Sequence, residues 1–439
     1  EDVGWGMLFA RSAQAAGDLS LIARRVAEET DTPFFNVQDG FLTTHTVENI
    51  NLPEPELMKE FINNPNESLI NLFDPYNPVM TGVVQNQDSY MKGKIAQRAY
   101  YAKLKPALKV AFADFEALTG RHYDLVESYK MDDAEYAIVG MGTIIDTTEA
   151  TIDWMRETLG LKVGAVHVTS FRPFPSAEIV EALKDVKAFS VVERMDNPLS
   201  QSNPLTREIK AAFADAVCGF DGYPAIDHIP QIYSGSAGLG SRDVRAGDLL
   251  AIIRNMQAED GGKRYFVTGI KHETALDVQE DPDIRAEGSF SMRGHSVGGF
   301  GSVTTNKVIA TIAGDVFDKR VQAYPKYGSE KKGLPTSYYL TVSDERIRTH
   351  AELNYVDFIP VNDVNAFMYG NPLVGLMPGG TLFINSPKET GEEVWYNMPR
   401  KFKTQIRDKN IRVMVLDAAK IAREESPSRL AVRQVQRGH

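Results

Sequence analysis

Residues 293–307 read RGHSVGGFGSVTTNK and place Gly298, Gly299 and Gly301 directly before a helical pattern predicted over residues 302–313 and ended by Gly314. Backbone N–H groups at a helix N-terminus carry partial positive charge, and glycines let an anion reach them without a Cβ in the way. The same residues would equally serve a tight strand-to-helix turn into which only glycine fits, and the stretch alone leaves both readings open. A dinucleotide fingerprint requires GxGxxG on the turn and an acid at the end of the second strand. Here Gly299-Phe300-Gly301 runs on into Ser302, Val303 and Thr304, and the second predicted strand, RVQAYP, leads into Lys326-Tyr327 without an acid. That argues against NAD, and the lack of GKS or GKT excludes a P-loop in its usual form. The turn YGSEKKG that follows, with Lys331 and Lys332, is polar and partly basic. Two adjacent loops, one rich in N–H donors and one carrying lysines, could hold a polyphosphate, the plain alternative being a solvated lysine turn.

Other chemistry-bearing residues are sparse. Cys218 is the single cysteine, so no intrachain disulfide, cysteine-ligated iron–sulfur cluster or cysteine-based zinc site can be built from this chain. The eight histidines show no HxxxH or HExxH pair. His45, in the loop DGFLTTH, could face a cleft or satisfy backbone groups at a strand end. Arg172, in FRPF, and the pair Glu193-Arg194 at a strand end have the character of interdomain ion pairs, and no catalytic role is assigned to any of them.

The elements that must position these residues follow from hydrophobic pattern. In residues 17–29, Leu19, Leu21, Ile22 and Val26 share a helical face after Asp18, which is expected to cap the helix. A buried strand, PFFNV, is expected next, with DGFLTTH at its carboxyl end, where α/β proteins place ligands. The Pro- and Asn-rich passage LPEPELMKEFINNPNESLINLFDPYNPVM reads as an ordered surface excursion or interface arm. From about Tyr136 a strand–helix repeat sets in: YAIVGMG, DTTEATIDWMRETLG, KVGAVHVTSFRPF, SAEIVEALKDV and KAFSVVER. DNPLSQSNP, the glycine-rich YSGSAGLGS and a charged stretch then lead to the boundary before Arg293. Beyond it, RVQAYP, TSYYLTV, VDFIPV, GTLFINS and IRVMVL are strand candidates, with helix starts after VDFIPV and at Asp417. The expected class is α/β, three consecutive units with mainly parallel sheets.

Bulk composition agrees. A chain of 439 residues with 43% hydrophobic and 24% charged residues can bury more than one core. Its net charge of −11 argues against a nucleic-acid surface, and no apolar run reaches the roughly 18–20 residues that span a bilayer. A soluble cytoplasmic protein is expected, with neither nucleic acid nor membrane as partner. EDVGWGMLF opens without methionine, signal peptide or lead-in strand, and Arg437-Gly438-His439 follows an unfinished helical pattern, so a fragment is expected.

Taken together, DGFLTTHTVENI, HVTSFRPF, GGFGSVTTNK, AYPKYGSEKKG and GGTLFINSP resemble, in the same order, strings of the pyruvate:ferredoxin oxidoreductases within the 2-oxoacid:acceptor oxidoreductases. The resemblance covers nearly the whole chain. It implies residues 1–125 as the later half of a thiamine-fold domain, 126–284 as a domain similar to the transketolase C-terminal domain, and 285–439 as most of a coenzyme A-associated domain. It further implies oxidative decarboxylation of pyruvate with thiamine diphosphate and magnesium, [4Fe-4S] clusters, ferredoxin or flavodoxin as acceptor, coenzyme A as co-substrate, and a homodimeric assembly. The thiamine and cluster residues would be held mainly by domains or subunits outside this chain. Carried over onto this sequence, Gly298, Gly299, Gly301, Ser302 and Lys331 fall where the family meets coenzyme A, and no metal ligand is implied here. Phe300 stands where an acid is usual, Leu42 where an arginine is expected and Glu330 where lysine is common. These departures motivate the alternatives of another 2-oxoacid such as 2-oxoglutarate, a coenzyme A-independent substrate, or a non-catalytic scaffold homologue.

Overall fold

The computed structural model describes residues 3–62, 71–297, 301–326, 335–388 and 390–425. The chain divides into two compact units: Glu1–Thr44 with Ile50–Ile284 and Arg348–His350, and His45–Asn49 with Arg285–Ile347 and Ala351–His439.

In the first unit, β1 (Gly6–Phe9) lies inside the opening stretch where no strand is expected from sequence, and α1 (Ala13–Thr30) follows. Ser12 caps α1 by accepting from the Ala15 N–H. Asp18, expected to be the cap, sits instead a turn and a half into the helix, fully buried, where Arg121 (2.6 Å) and the Tyr123 hydroxyl (2.8 Å) hold it. A short-range rule mistook a long-range ion pair for a cap, because its partners lie about a hundred residues away. β2 (Phe34–Val37) pairs parallel to β1 but is only partly buried, with Phe35 exposed, because it forms the edge of a three-stranded sheet. The helices α2 (Pro55–Ile62), α3 (Tyr90–Ala96) and α4 (Arg98–Thr119) follow, the two-residue strand β3 (Val47–Glu48) before them belonging to the second unit. α1, α2 and α4 enclose a core of Leu19, Ile22, Val26, Phe61, Leu108 and Phe115, in which Phe61 and Phe115 meet edge to face at 5.1 Å.

A six-stranded sheet completes this unit. Its members are β4 (Val126–Tyr129), β5 (Tyr136–Gly140), β6 (Val163–Val168), β8 (Ala188–Glu193), β9 (Gln231–Ser236) and β10 (Tyr265–Val267), in the order β10-β9-β8-β5-β6-β4 and all parallel except β4. Between β6 and β8, β7 (Ser170–Arg172) leaves to pair antiparallel with β1, so HVTSFR serves two sheets. The crossovers α5 (Ile144–Leu159), α6 (Ser176–Leu183), α7 (Pro204–Val217) and α8 (Ala246–Met256) bury both faces. Along β5, Ala137 and Val139 enter one core and Ile138 the other, the period-two alternation of a strand covered on both sides. The segment containing YSGS proves to be strand β9 rather than a boundary loop, and Gly235 there lets the Phe266 ring approach within 2.4 Å of a Cβ position.

The second unit holds a seven-stranded sheet in the order β16-β15-β14-β11-β13-β12-β3. Its strands are β11 (Phe290–Val297), β12 (Arg320–Lys326), β13 (Pro335–Ser343), β14 (Val356–Val361), β15 (Leu376–Asn385) and β16 (Arg412–Leu416). β11, β14, β15 and β16 are parallel, whereas β13 runs antiparallel to both β11 and β12. The helix after the glycines, α9 (Ser302–Asp315), runs through Gly314 and ends at Val316. Here α9 covers the sheet with Asn306 and Ala310, and Asn306 donates to the Tyr339 carbonyl at 2.9 Å. α10 (Ala366–Tyr369), α11 (Gly391–Asn397), α12 (Arg400–Asp408) and α13 (Ala418–Glu425) complete the unit, α10 and α13 at the expected starts.

Candidate functional site

In the first unit the DGF loop is held against the carboxyl ends of the six-stranded sheet. Asp39 accepts from the Thr143 N–H (2.7 Å) and hydroxyl (2.5 Å) and faces the Arg194 guanidinium at 3.2 Å. Arg194 in turn donates to the Gly238 carbonyl and to Thr143 Oγ1, and Ser241 donates to the Gly40 carbonyl at 3.0 Å. Gly142 makes this approach possible: its φ is +77° and a Cβ would stand 2.7 Å from Asp39 Oδ2. Arg194 thus joins the stretches read from sequence as separate domains. Glu193 turns inward to accept the Leu205 and Thr206 N–H groups at the start of α7 (2.8 and 3.2 Å), where burial raises its carboxyl pKa against those bonds. Arg172 pairs with Glu208 at 2.8 Å. Leu42 is buried and His45 half-buried.

In the second unit, the predicted site residues divide. Gly298, Gly299 and Lys331 lie outside the described residues. Gly301, at φ +80°, occupies the N-cap position of α9, and among the described residues nothing stands where its Cβ would be and no side chain caps the helix. Ser302 begins the helix with its hydroxyl 2.7 Å from that of Ser296 on β11. Val297, the last residue of β11, is the register partner of Pro335, the first of β13, so these two strand ends lie side by side. The lysine turn predicted next to the glycine loop, residues 327–334, lies outside the described residues.

A cavity of about 200 Å³ opens beside Ser296, lined among others by His295, Thr336, Ser337, Asn371 and Pro372. Sequence reading did not single it out, because its walls come from β11, β13 and the segment from α10 to Pro372, which no local pattern brings together. His295 lies 3.2 Å from the Pro372 carbonyl and 3.4 Å from the Ser337 hydroxyl. A carbonyl only accepts, so Nε2 carries the proton and Nδ1 accepts from Ser337. Burial, aided by the charge of Arg293, pushes the imidazole pKa down to about 4, so the ring is neutral near pH 7. Arg293 itself is buried on the same strand, donating to the Val374 and Leu353 carbonyls under the Tyr339 ring. A helix N-terminus with glycine at its N-cap, beside hydroxyls and a neutral imidazole, suits a ligand with an anionic group and a hydrogen-bonding body.

Comparison with known proteins gives three family models in chain order. Residues 1–112 match the thiamine-diphosphate-binding model of pyruvate flavodoxin/ferredoxin oxidoreductase, 134–246 match pyruvate:ferredoxin oxidoreductase core domain II, and 291–435 match pyruvate ferredoxin/flavodoxin oxidoreductase. The chain belongs to this oxidoreductase family. It is similar to the pyruvate-flavodoxin oxidoreductase of Trichormus variabilis, 31% identical over 431 residues, and to the pyruvate:ferredoxin oxidoreductase of Moorella thermoacetica, 30% identical over 430. Each alignment covers 96% of this chain and 35% of the relative, so the chain spans about a third of the length of the curated relatives it matches. The solved pyruvate oxidoreductase subunit PORC of Thermotoga maritima is 26% identical across 31% of this chain and 66% of its own, with a TM-score of 0.25. In family terms, the DGF loop falls in the thiamine-binding match and its partners Thr143 and Arg194 in the core II match, while Gly301, Ser302 and the His295 cavity fall in the third. The family's α/β character is present throughout. Among the described residues no group of three His, Cys, Asp or Glu side chains is placed to hold a metal ion, and no helix is long and apolar enough to cross a membrane.

Proposed function

We propose that the chain is part of a thiamine-diphosphate-dependent 2-oxoacid:ferredoxin oxidoreductase that oxidatively decarboxylates pyruvate to acetyl-CoA and passes the electrons to ferredoxin or flavodoxin. The observation that carries this reading is the run of three models of one enzyme family, in order, along one chain. The domain bounds 1–125, 126–284 and 285–439 are proposed on the same ground, as are a cytoplasmic location and a homodimeric assembly that includes the further parts found in the longer relatives.

Within that enzyme, the second unit would hold coenzyme A, which supplies the acyl-accepting thiol when bound. Gly301 and Ser302 would offer N–H donors to an anionic group, with Gly298, Gly299 and Lys331 completing the site. The N-terminus of α9, with glycine at its N-cap, fits such a group. The chain's one cysteine does not fit a cysteine-ligated iron–sulfur cluster, and the clusters and the magnesium are assigned to other domains or subunits. The first unit's contribution is to hold the DGF loop in place through Asp39 and Arg194.

The test is made on the native assembly: intact mass, iron and thiamine content, then reduction of ferredoxin or flavodoxin with pyruvate and coenzyme A. Reduction that requires both is expected. An assembly carrying iron and thiamine that reduces neither acceptor with pyruvate, or does so only with 2-oxoglutarate, would overturn the substrate assignment.

A further inference from the structure

Among the described residues of the first unit, no carboxylate pairs with Lys210 on α7. Its Nζ donates instead to the Ser202 hydroxyl at 2.6 Å. Ser202 is buried and gives its own proton to the Gln201 carbonyl at 2.7 Å, so its oxygen accepts from Lys210 and also from the Tyr265 hydroxyl, 2.9 Å away at the start of β10. The next cation is Arg264, which precedes Tyr265 and donates to the Ile232 carbonyl over the Tyr233 ring. Hydroxyls do not hold a proton on an amine as carboxylates do. Lys109, Lys184 and Lys187 meet glutamates at 2.7, 2.8 and 2.5 Å, and those bonds raise the pKa of each. Burial, with the charge of Arg264 second, pushes the Lys210 ammonium the other way. The residue is nonetheless exposed, so a dissolved reagent reaches it. Partial desolvation beside a second cation is the setting in which a lysine amine becomes a nucleophile.

From this Ser202, Lys210 and Tyr265 cluster we infer that Lys210 is a site of covalent acylation by an acyl thioester, the chemical class to which the acetyl-CoA of the proposed reaction belongs. The inference rests on that reading for the source of the thioester, whereas the reactivity of the amine is a property of the cluster. As the free base, Nζ attacks the thioester carbonyl carbon. A C–N bond forms, the C–S bond breaks, coenzyme A leaves as its thiolate and Nζ gives one proton to water. Nothing is oxidised or reduced. The product suits its surroundings: the amide keeps one N–H for Ser202, and the positive charge that faced Arg264 is gone.

The test incubates the native assembly with acetyl-CoA and no pyruvate, and follows each lysine by peptide mass spectrometry as pH is raised from neutral. Near neutral pH, Lys210 should acetylate roughly tenfold faster than Lys187, and the ratio should fall toward one as the pH passes the ordinary lysine range and every amine becomes free. Arg264→Gln should slow Lys210 roughly threefold near neutral pH and leave Lys187 unchanged. Equal rates at Lys210 and Lys187 in the wild type overturn the proposal, as does an Arg264→Gln variant with an unchanged melting transition and undiminished Lys210 acetylation. A second arm supplies pyruvate, coenzyme A and ferredoxin or flavodoxin, and Lys210 acetylation should then rise with turnover. Acetyl-CoA formed from pyruvate with Lys210 unmodified overturns the proposal and leaves the enzyme reading standing. Acetylation by added acetyl-CoA, in an assembly that forms none from pyruvate, upholds the reactive lysine and overturns the enzyme reading.

Discussion

Replacing Asp39 by alanine should cost the first unit about 3 kcal/mol of stability. The carboxylate accepts two bonds from Thr143 and faces Arg194 at 3.2 Å. Thr143 is fully buried, so its N–H would be left unpaired at a cost of about 1–3 kcal/mol. Arg194 keeps its bonds to the Gly238 carbonyl and Thr143 and its side chain is 18% exposed, so its penalty falls below the roughly 3–5 kcal/mol of a fully buried orphan charge. These terms overlap and do not add in full. Asp39→Asn, which retains one acceptor, should lose about half as much. The coupling is read from the double variant Asp39→Ala, Arg194→Met, which should be less destabilised than the sum of its single changes by at least about 1 kcal/mol. Urea unfolding followed by far-UV circular dichroism, with m unchanged across the set, gives the values. A single-variant loss below about 1 kcal/mol, or strict additivity in the double variant, would refute the claim that this pair latches the DGF loop to the sheet.

Three further outcomes are expected. Asp18→Ala should cost about 3–5 kcal/mol in the same urea assay, because Arg121 and the Tyr123 hydroxyl lose a fully buried carboxylate; a loss typical of an exposed helix cap, about 1 kcal/mol, would restore the capping role. His295 has its pKa lowered from 6.5 to about 4, so between those values the unfolded chain binds the proton and the folded chain does not. Its contribution, about 3 kcal/mol at most, is therefore present above pH 6.5 and lost as pH falls toward 4; His295→Gln should flatten the decline of urea midpoints over that range, and an unchanged slope counts against the neutral ring. Gly301→Val, which forces a β-branched residue to φ +80° at the start of α9, should raise the KM for coenzyme A of the native assembly roughly tenfold while leaving kcat within about twofold; an unaltered KM would place the coenzyme elsewhere.

Much of the architecture was legible without coordinates. YAIVGMG, KAFSVVER and VDFIPV are apolar runs whose backbone must pair and whose both faces must be covered, and each forms its strand at the expected place. The helix after Gly301 and the helix start after Asp417 were equally clear, because glycine and aspartate act on the residues next to them. Local signals failed where distant partners competed. Asp18 was read as a cap although Ser12 is the cap, GMLF was overlooked as a strand, and YSGS was taken for a loop because glycine disfavours a strand unless a ring must come as close as Phe266 does.

The sequence by itself determined the class of fold and the family, since these depend on periodicity and on strings that stay contiguous. Tertiary structure alone decided that HVTSFR serves two sheets, that β13 runs antiparallel between β11 and β12, and that Asp39 meets Arg194 across 155 positions. It also decided that His295 is neutral in a cavity with walls from three segments. The physical reason is common to all of these: strand pairing, burial and ion pairing are energies between residues far apart in the chain, and no local pattern records which distant group will arrive.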